Sequence, residues 1–228
     1  MKKLLNTILL LTFLTSCVST KIIPMTSENS AVIKNKKVAI IHSKKPDFAA
    51  ATYGNFIWAF FTGGIVGSIK MIHDGNKIIN ENAIEDPAIV LSKNLAADFE
   101  KKYNVKIIAD SAAKDISYDA EKIAKEYRNI ADYALDLRTI NWSFGYLPMR
   151  TGSYRVIYSS KLRLIDTQNS KIIAEGFCAR IPEGEQTRNA PSYNQLLFNN
   201  AQILKDELVK SASYCTDLLK EKVFAVVN

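Results

Sequence analysis

The chain has 228 residues, 47% of them hydrophobic and 23% charged, with a formal net charge of +7. That balance belongs to an ordinary globular chain and excludes a disordered or fibrous one. Its basic residues fall in pairs rather than long runs, which argues for a mixed solvated surface and against a nucleic-acid-binding tract.

Lys2 and Lys3 precede Leu4 to Leu14, an uncharged stretch of eleven residues. A helix needs ~20 residues to span a bilayer, so this stretch is too short and fits the apolar region of a signal peptide. Leu14-Thr15-Ser16-Cys17 then resembles a bacterial lipobox. The resemblance implies that the Cys17 sulfur is diacylated, that the chain is cut before it, and that the new amine is acylated. Two or three acyl chains anchor a protein stably where one does not. An ordinary secretory signal with a chance cysteine is the alternative. Val18 follows the cysteine where an acidic residue would imply inner-membrane retention, so the resemblance implies the outer membrane, facing the periplasm. Removal of residues 1–16 takes Lys2 and Lys3 and lowers the formal charge to +5, a mild basicity suited to anionic lipid or glycan.

Residues 17–35 are polar and read as a tether, and residues 36–228 as a single domain. Lys36 to His42 is a short branched apolar run, expected to be a strand buried on both faces. Phe48 to Ile69 carries no charge and lies within an apolar, Gly-rich insertion at 48–72. Gly63 and Gly67 have the spacing that lets apolar helices approach closely. Packed core, an oligomer or partner contact, and membrane insertion all remain open for this stretch. Trp58, Phe61, Gly63 and Gly67 are its contact candidates.

Asp86-Pro87 is a helix start, an N-cap followed by proline, and Ala88, Leu91, Leu95 and Phe99 recur at helical spacing up to Tyr103. Val105 to Ala109 is the next strand and Ser117 to Arg128 the next helix. Ala131 to Tyr146 alternates, but Tyr133, Leu135 and Leu137 have one parity while Ile140, Trp142 and Phe144 have the other. A single-residue slip near Arg138 and Thr139 is what a β-bulge produces. Tyr154 to Ile165 is expected to turn Val156, Tyr158, Leu162 and Leu164 to one face and Arg155, Lys161 and Arg163 to the other. A turn at 166–170 leads to a third strand, Lys171 to Cys178, with Ile172, Ala174 and Cys178 on one side. Pro191-Ser192 opens a long helix to about Val223, with a stripe through Leu197, Ala201, Leu204, Leu208, Ala212, Cys215, Leu219 and Val223.

The fold class is therefore α/β (α+β): a mixed sheet of about five strands with a C-terminal antiparallel meander, packed by two or three helices including the long last one. With Cys17 reserved for lipid, Cys178 and Cys215 form an even pair in an oxidising compartment, and Cys215 lies on the stripe facing the sheet; a disulfide is expected.

Ala131-Asp132-Tyr133 entering a strand, Lys161 to Asp166 and Lys171 to Ala174 resemble short motifs of the TolB N-terminal domain, the curli-secretion lipoprotein and the penicillin-binding-protein activator lipoproteins. Asn169-Ser170 stands where those families favour Thr-Gly. The same residues look like the auxiliary lipoproteins of lipid-transporting ABC systems, and the whole chain looks like an uncharacterised family of proteobacterial lipoproteins. The resemblance implies the fold and an envelope location, and carries over no binding residue.

His42 and His73 lack partners at metal-ligand spacing, and neither a nucleophile elbow nor a phosphate-binding glycine loop occurs. Glu81, Glu85 and Asp86 precede or cap a helix and need no glycosidase reading. No enzyme, cofactor or metal is implied. The expectation is a lipid-anchored, periplasm-facing accessory or scaffold that binds a periplasmic protein, with Trp142, Phe144 and Tyr146 as further exposed contact candidates. The alternative is an oligomeric outer-membrane transport or secretion component with 48–69 membrane-associated.

Overall fold

The computed structural model describes residues 21–55, 57, 65–109, 117–148, 150 and 152–225. Cys17, Trp58, Phe61 and Gly63 lie outside them. A six-stranded mixed sheet forms the middle layer. β1 (Lys37–His42) runs parallel to β3 (Lys106–Ala109) on one side and to β4 (Tyr133–Tyr146) on the other. The short β2 (Ala49–Ala51) continues that flank, pairing in parallel with residues 143–145 of β4. β4, β5 (Tyr154–Asp166) and β6 (Lys171–Arg180) form the antiparallel meander.

Among the described residues, five α-helices accompany this sheet. α1 (Ser27–Val32) and α2 (Ile65–Glu81) are short-range additions not legible as helices in the sequence. α3 (Pro87–Tyr103) starts where the Asp86-Pro87 pair places it, with the Asp86 carboxylate accepting from Ala88 N–H. α4 (Ala120–Tyr127) is capped by Asp119. α5 (Tyr193–Val223) opens with a reciprocal Ser192–Gln195 capping box. Residues of α2, α3 and α5 share one large core with the sheet, built on Phe48, Leu91, Leu95, Phe99, Trp142 and Tyr158. α4 packs on the opposite face over Ala39, Ile41, Ala134 and Ile165.

The register shift falls between Thr139 and Asn141 of β4, at the predicted slip. It lets Leu135 and Leu137 before it, and Trp142 and Phe144 after it, enter the same core. A second shift, between Leu164 and Ile165 of the β5–β6 pair, places Ile172 on the α4 side while Ala174 and Cys178 face α5. The single face expected for those three residues is corrected accordingly.

Two further expectations are corrected, and one left open is narrowed. Residues 21–35 are not a tether: Met25 and Ile33 are fully buried, and Ile23 pairs antiparallel with Glu175 at the edge of β6. Of the stretch 48–69, Phe48 and Ala50 lie in the core, one of the readings left open for it, and α2 runs from Ile65. No helix among the described residues is long and apolar enough to cross a membrane. The last helix is also broken, with Phe198 extended and Asn199, Asn200 and Ala201 left-handed. The break moves the apolar phase, so Leu196 is buried and Leu197 only half-buried.

One covalent bond and one close backbone contact hold the helices down. Cys178 and Cys215 form a disulfide between β6 and α5 with their Cα atoms 5.5 Å apart. At Gly75 of α2 a Cβ would sit 2.1 Å from the Phe48 carbonyl oxygen, so only glycine permits this helix-to-backbone contact. Gly75→Ala is expected to lower stability by about 2 kcal/mol or more, since backbone has to shift, while Gly54→Ala, with open space around it, stays near neutral; urea midpoints measure both. The disulfide closes a separation of 37 residues. Its reduction should lower stability by roughly 3–4 kcal/mol in the chain-entropy description, read as the midpoint difference with and without reductant.

Candidate functional site

β1 ends at His42, paired in register with Leu137 of β4. From β1 the chain crosses to β3 through α2 and α3 on one face, then returns past β1 to β4 through α4 on the other. Connections thus diverge at the carboxyl end of β1, the place where open α/β sheets leave a crevice. A cleft of about 720 Å³ lies there, lined by His42 to Lys45, the 83–86 turn, the first turn of α3, Lys93 and Leu137. Asp86 forms its back wall and is 7% exposed. The hydroxyl of Thr139 donates to its carboxylate, and the Tyr158 hydroxyl lies 3.3 Å behind Thr139. Burial raises the Asp86 carboxyl above its ordinary value, against the lowering pull of these hydrogen bonds, Lys45 and His42. Burial likewise pushes the Tyr158 phenol well up.

A second surface lies past the register shift. Trp142 and Phe144 are not exposed contact residues, as their sequence position suggests, but fully buried. The phase slip turns both inward, where Trp142 Nε1 donates to the Pro46 carbonyl at 2.9 Å and Phe48 packs edge-on at 5.1 Å. Tyr146 is half-buried and belongs to a tyrosine ladder instead. Tyr53 packs tilted against Tyr146 at 5.2 Å, Tyr146 edge-on against Tyr154 at 5.9 Å, and Tyr154 tilted against Tyr193 at 5.9 Å. Phe144 supports Tyr154 and Tyr193 from beneath. Tyr53 and Tyr193 are the exposed ends of the ladder. Gly67, in the first turns of α2, is buried and contributes no exposed contact. Neither Tyr53 nor Tyr193 stands out in the sequence, because only the pairing of β2 with β4 and the docking of α5 bring them to Tyr146 and Tyr154.

The opposite face of β4 and β5 holds charge that alternation alone assigns to solvent. Asp136 binds Arg163 at 2.5 Å and Arg138 at 2.7 Å, and Lys161 binds Glu175 at 2.6 Å, all nearly buried. The Tyr118 ring covers them, 4.1 Å from the Arg163 guanidinium and 5.2 Å from that of Arg138. Burial pulls the Lys161 ammonium down, but Glu175 and Tyr118 outweigh it and hold it above the usual lysine value. His73 is exposed beside Asp74. Among the described residues no group of three or more His, Cys, Asp or Glu is placed to hold a metal.

No protein-family model matches the chain, and no curated protein matches it by sequence. Among solved structures it is similar to lipoprotein GNA1162 from Neisseria meningitidis, at 12% identity over 78% of this chain and 98% of that one, with a TM-score of 0.33. The LpoB C-terminal domain from Salmonella enterica matches at 9% identity over 64% and 83%, with a TM-score of 0.31. The PelC dodecamer from Paraburkholderia phytofirmans matches at 15% over 78% and 86%, with a TM-score of 0.29. Such identities and scores carry neither activity nor partner over to this chain.

Asp86 holds its proton to higher pH in the folded than in the unfolded chain, so its contribution to stability falls as pH rises through that window. Asp86→Asn keeps the cap and the Thr139 contact without the buried charge. It should match or exceed the parent at pH 7 and lose its advantage at low pH, whereas Asp86→Ala should cost about 1 kcal/mol or more relative to Asn. Urea titrations at both pH values check this; a large destabilisation of Asp86→Asn at pH 7 would show that the carboxylate itself is needed.

Proposed function

We propose that the protein is a bacterial envelope lipoprotein, acylated at Cys17 and held at the periplasmic side of the outer membrane, that acts without catalysis by binding a periplasmic protein. The anchoring rests on the lipobox-like residues 14–17. The observation that carries the binding role is the tyrosine ladder. Tyrosine gives a large amphipathic contact area for few rotatable bonds, and it is enriched where protein interfaces concentrate their energy. Here the ladder is pre-ordered by edge-on packing against buried Phe144, so little side-chain freedom remains to be lost on binding. Val66 and Ile69 of α2 add exposed apolar surface on the helix that carries Asp74, whose charge reaches Tyr193.

The test places a photoreactive phenylalanine analogue at Tyr53 or Tyr193 in cells, with exposed Tyr214 further along α5 as control. One shared protein adduct from the first two positions and none from the third is expected. Tyr193→Ala should weaken that complex about tenfold or more. Adducts equally strong at Tyr214, or none at Tyr53 and Tyr193, would overturn the assignment.

A further inference from the structure

The cleft beyond β1 is separate from the tyrosine ladder and carries an inference of its own. Its volume of about 720 Å³ lies within the ~300–1,000 Å³ usual for small-molecule sites. Its floor is apolar, made by Ile84, Ala88, Ile89 and Leu137. Its polar groups divide into committed and uncommitted ones. Asp86 is committed to Ala88 N–H and Thr139, which also occupies the first-turn amide of α3. Lys45 lies over the Trp142 ring at 5.4 Å and reaches the Ile84 carbonyl at 3.5 Å. Lys44 and Lys93 are exposed at the rim, and no carboxylate of the described residues pairs with either. Ser43 Oγ, in the wall, is buried with no hydrogen-bond partner among the described residues. His42 and Glu85 complete the titratable lining. With Lys44 and Lys93 set against the exposed carboxylate of Glu85, the rim carries a net positive charge.

A second apolar cavity of about 460 Å³, lined by Leu95, Phe99, Tyr103 and Phe224, also has lysines around it. Two of its three lysines are spent inside the fold, however, leaving Lys101. Lys220 pairs with Asp98, and Lys102 donates to the Phe224 carbonyl at 2.5 Å. The β1 cleft joins a wider apolar floor to two lysines, Lys44 and Lys93, with no carboxylate partner among the described residues.

We propose that the β1 cleft binds a small amphipathic anion, with its apolar body on Ile84, Ala88, Ile89 and Leu137 and its carboxylate or phosphate at Lys44 and Lys93. Hydrophobic burial supplies the affinity, and the two ammonium groups select charge over a neutral head.

The test titrates the full protein by calorimetry with decanoate, decyl phosphate, neutral decanol and inorganic phosphate, below micelle formation. Since the chain has two tryptophans, Trp58→Phe leaves Trp142, beneath Lys45, as a fluorescence reporter. At least one of the two anionic amphiphiles should bind, about tenfold or more tighter than decanol or inorganic phosphate. Preference for decanoate marks a fatty-acid-like ligand and preference for decyl phosphate a phospholipid-like one; either supports the site. Lys44→Ala/Lys93→Ala should remove most of the charge preference, and Ile89→Trp, filling the floor, should weaken binding of the anion about tenfold. Lys101→Ala/Lys220→Ala at the other cavity should change neither. Absence of binding, equal binding of decanol, or equal loss with the Lys101/Lys220 pair would overturn the proposal.

Discussion

The one-residue shift between Thr139 and Asn141 is the constraint on which the rest of the domain depends. A regular strand of this length would turn either Leu135 and Leu137 or Trp142 and Phe144 away from the core. The shift brings all four to one side, and so gives α2, α3 and α5 a common apolar floor. It also leaves Thr139 facing the same way as Leu137, within reach of the α3 cap at Asp86. Strand phase, helix start and cleft wall are thereby tied at one residue.

Much of this was legible in the sequence. The cap at Asp86-Pro87, the parity change in β4, the hairpin at 166–170 and the pairing of Cys178 with Cys215 each depend on neighbours along the chain or on one stripe, which periodicity reports. What escaped depends on distant contacts. β2 is three residues long and exists because β4 offers it a free edge. The break at Phe198 to Ala201 follows no proline, and Asn-Asn tolerates left-handed backbone without announcing it. Arg163 and Lys161 were placed only on the face opposite Leu162 and Leu164, because alternation assigns a face and cannot say that Tyr118 will cover it or that Asp136 will pair there. The candidate surfaces were the least legible. Trp142 and Phe144 were attractive as exposed aromatics, yet their parity, once the slip is counted, sends them inside. The tyrosines that reach the surface come from three separate segments.

The two surfaces ask different things of the fold. The ladder is rigid because each ring is braced by the next, down to Phe144 and Phe48 in the core. The cleft is bounded on one side by the 83–86 turn, which has a smaller cavity behind it, lined by Val90, Lys205 and Leu208, and Ala83 in left-handed backbone. Braced aromatics suit a partner that selects shape. A turn with space on both sides suits a ligand whose length varies.

The entry of the chain into the domain has a mechanical side. Ile23 and Glu175 exchange two backbone hydrogen bonds, of 2.8 and 2.9 Å, and Met25 N–H then reaches the Val223 carbonyl at 2.7 Å. Any pull on the chain ahead of residue 21 loads the Ile23–Glu175 pair before it reaches buried Met25. Past that point it is shared between β6 and the end of α5, which the Cys178–Cys215 bond already joins. The fold thus has a short yielding stitch in series with a crosslinked frame, so tension at the entry is relieved by a local peel of the β6 edge while the sheet behind it stays closed.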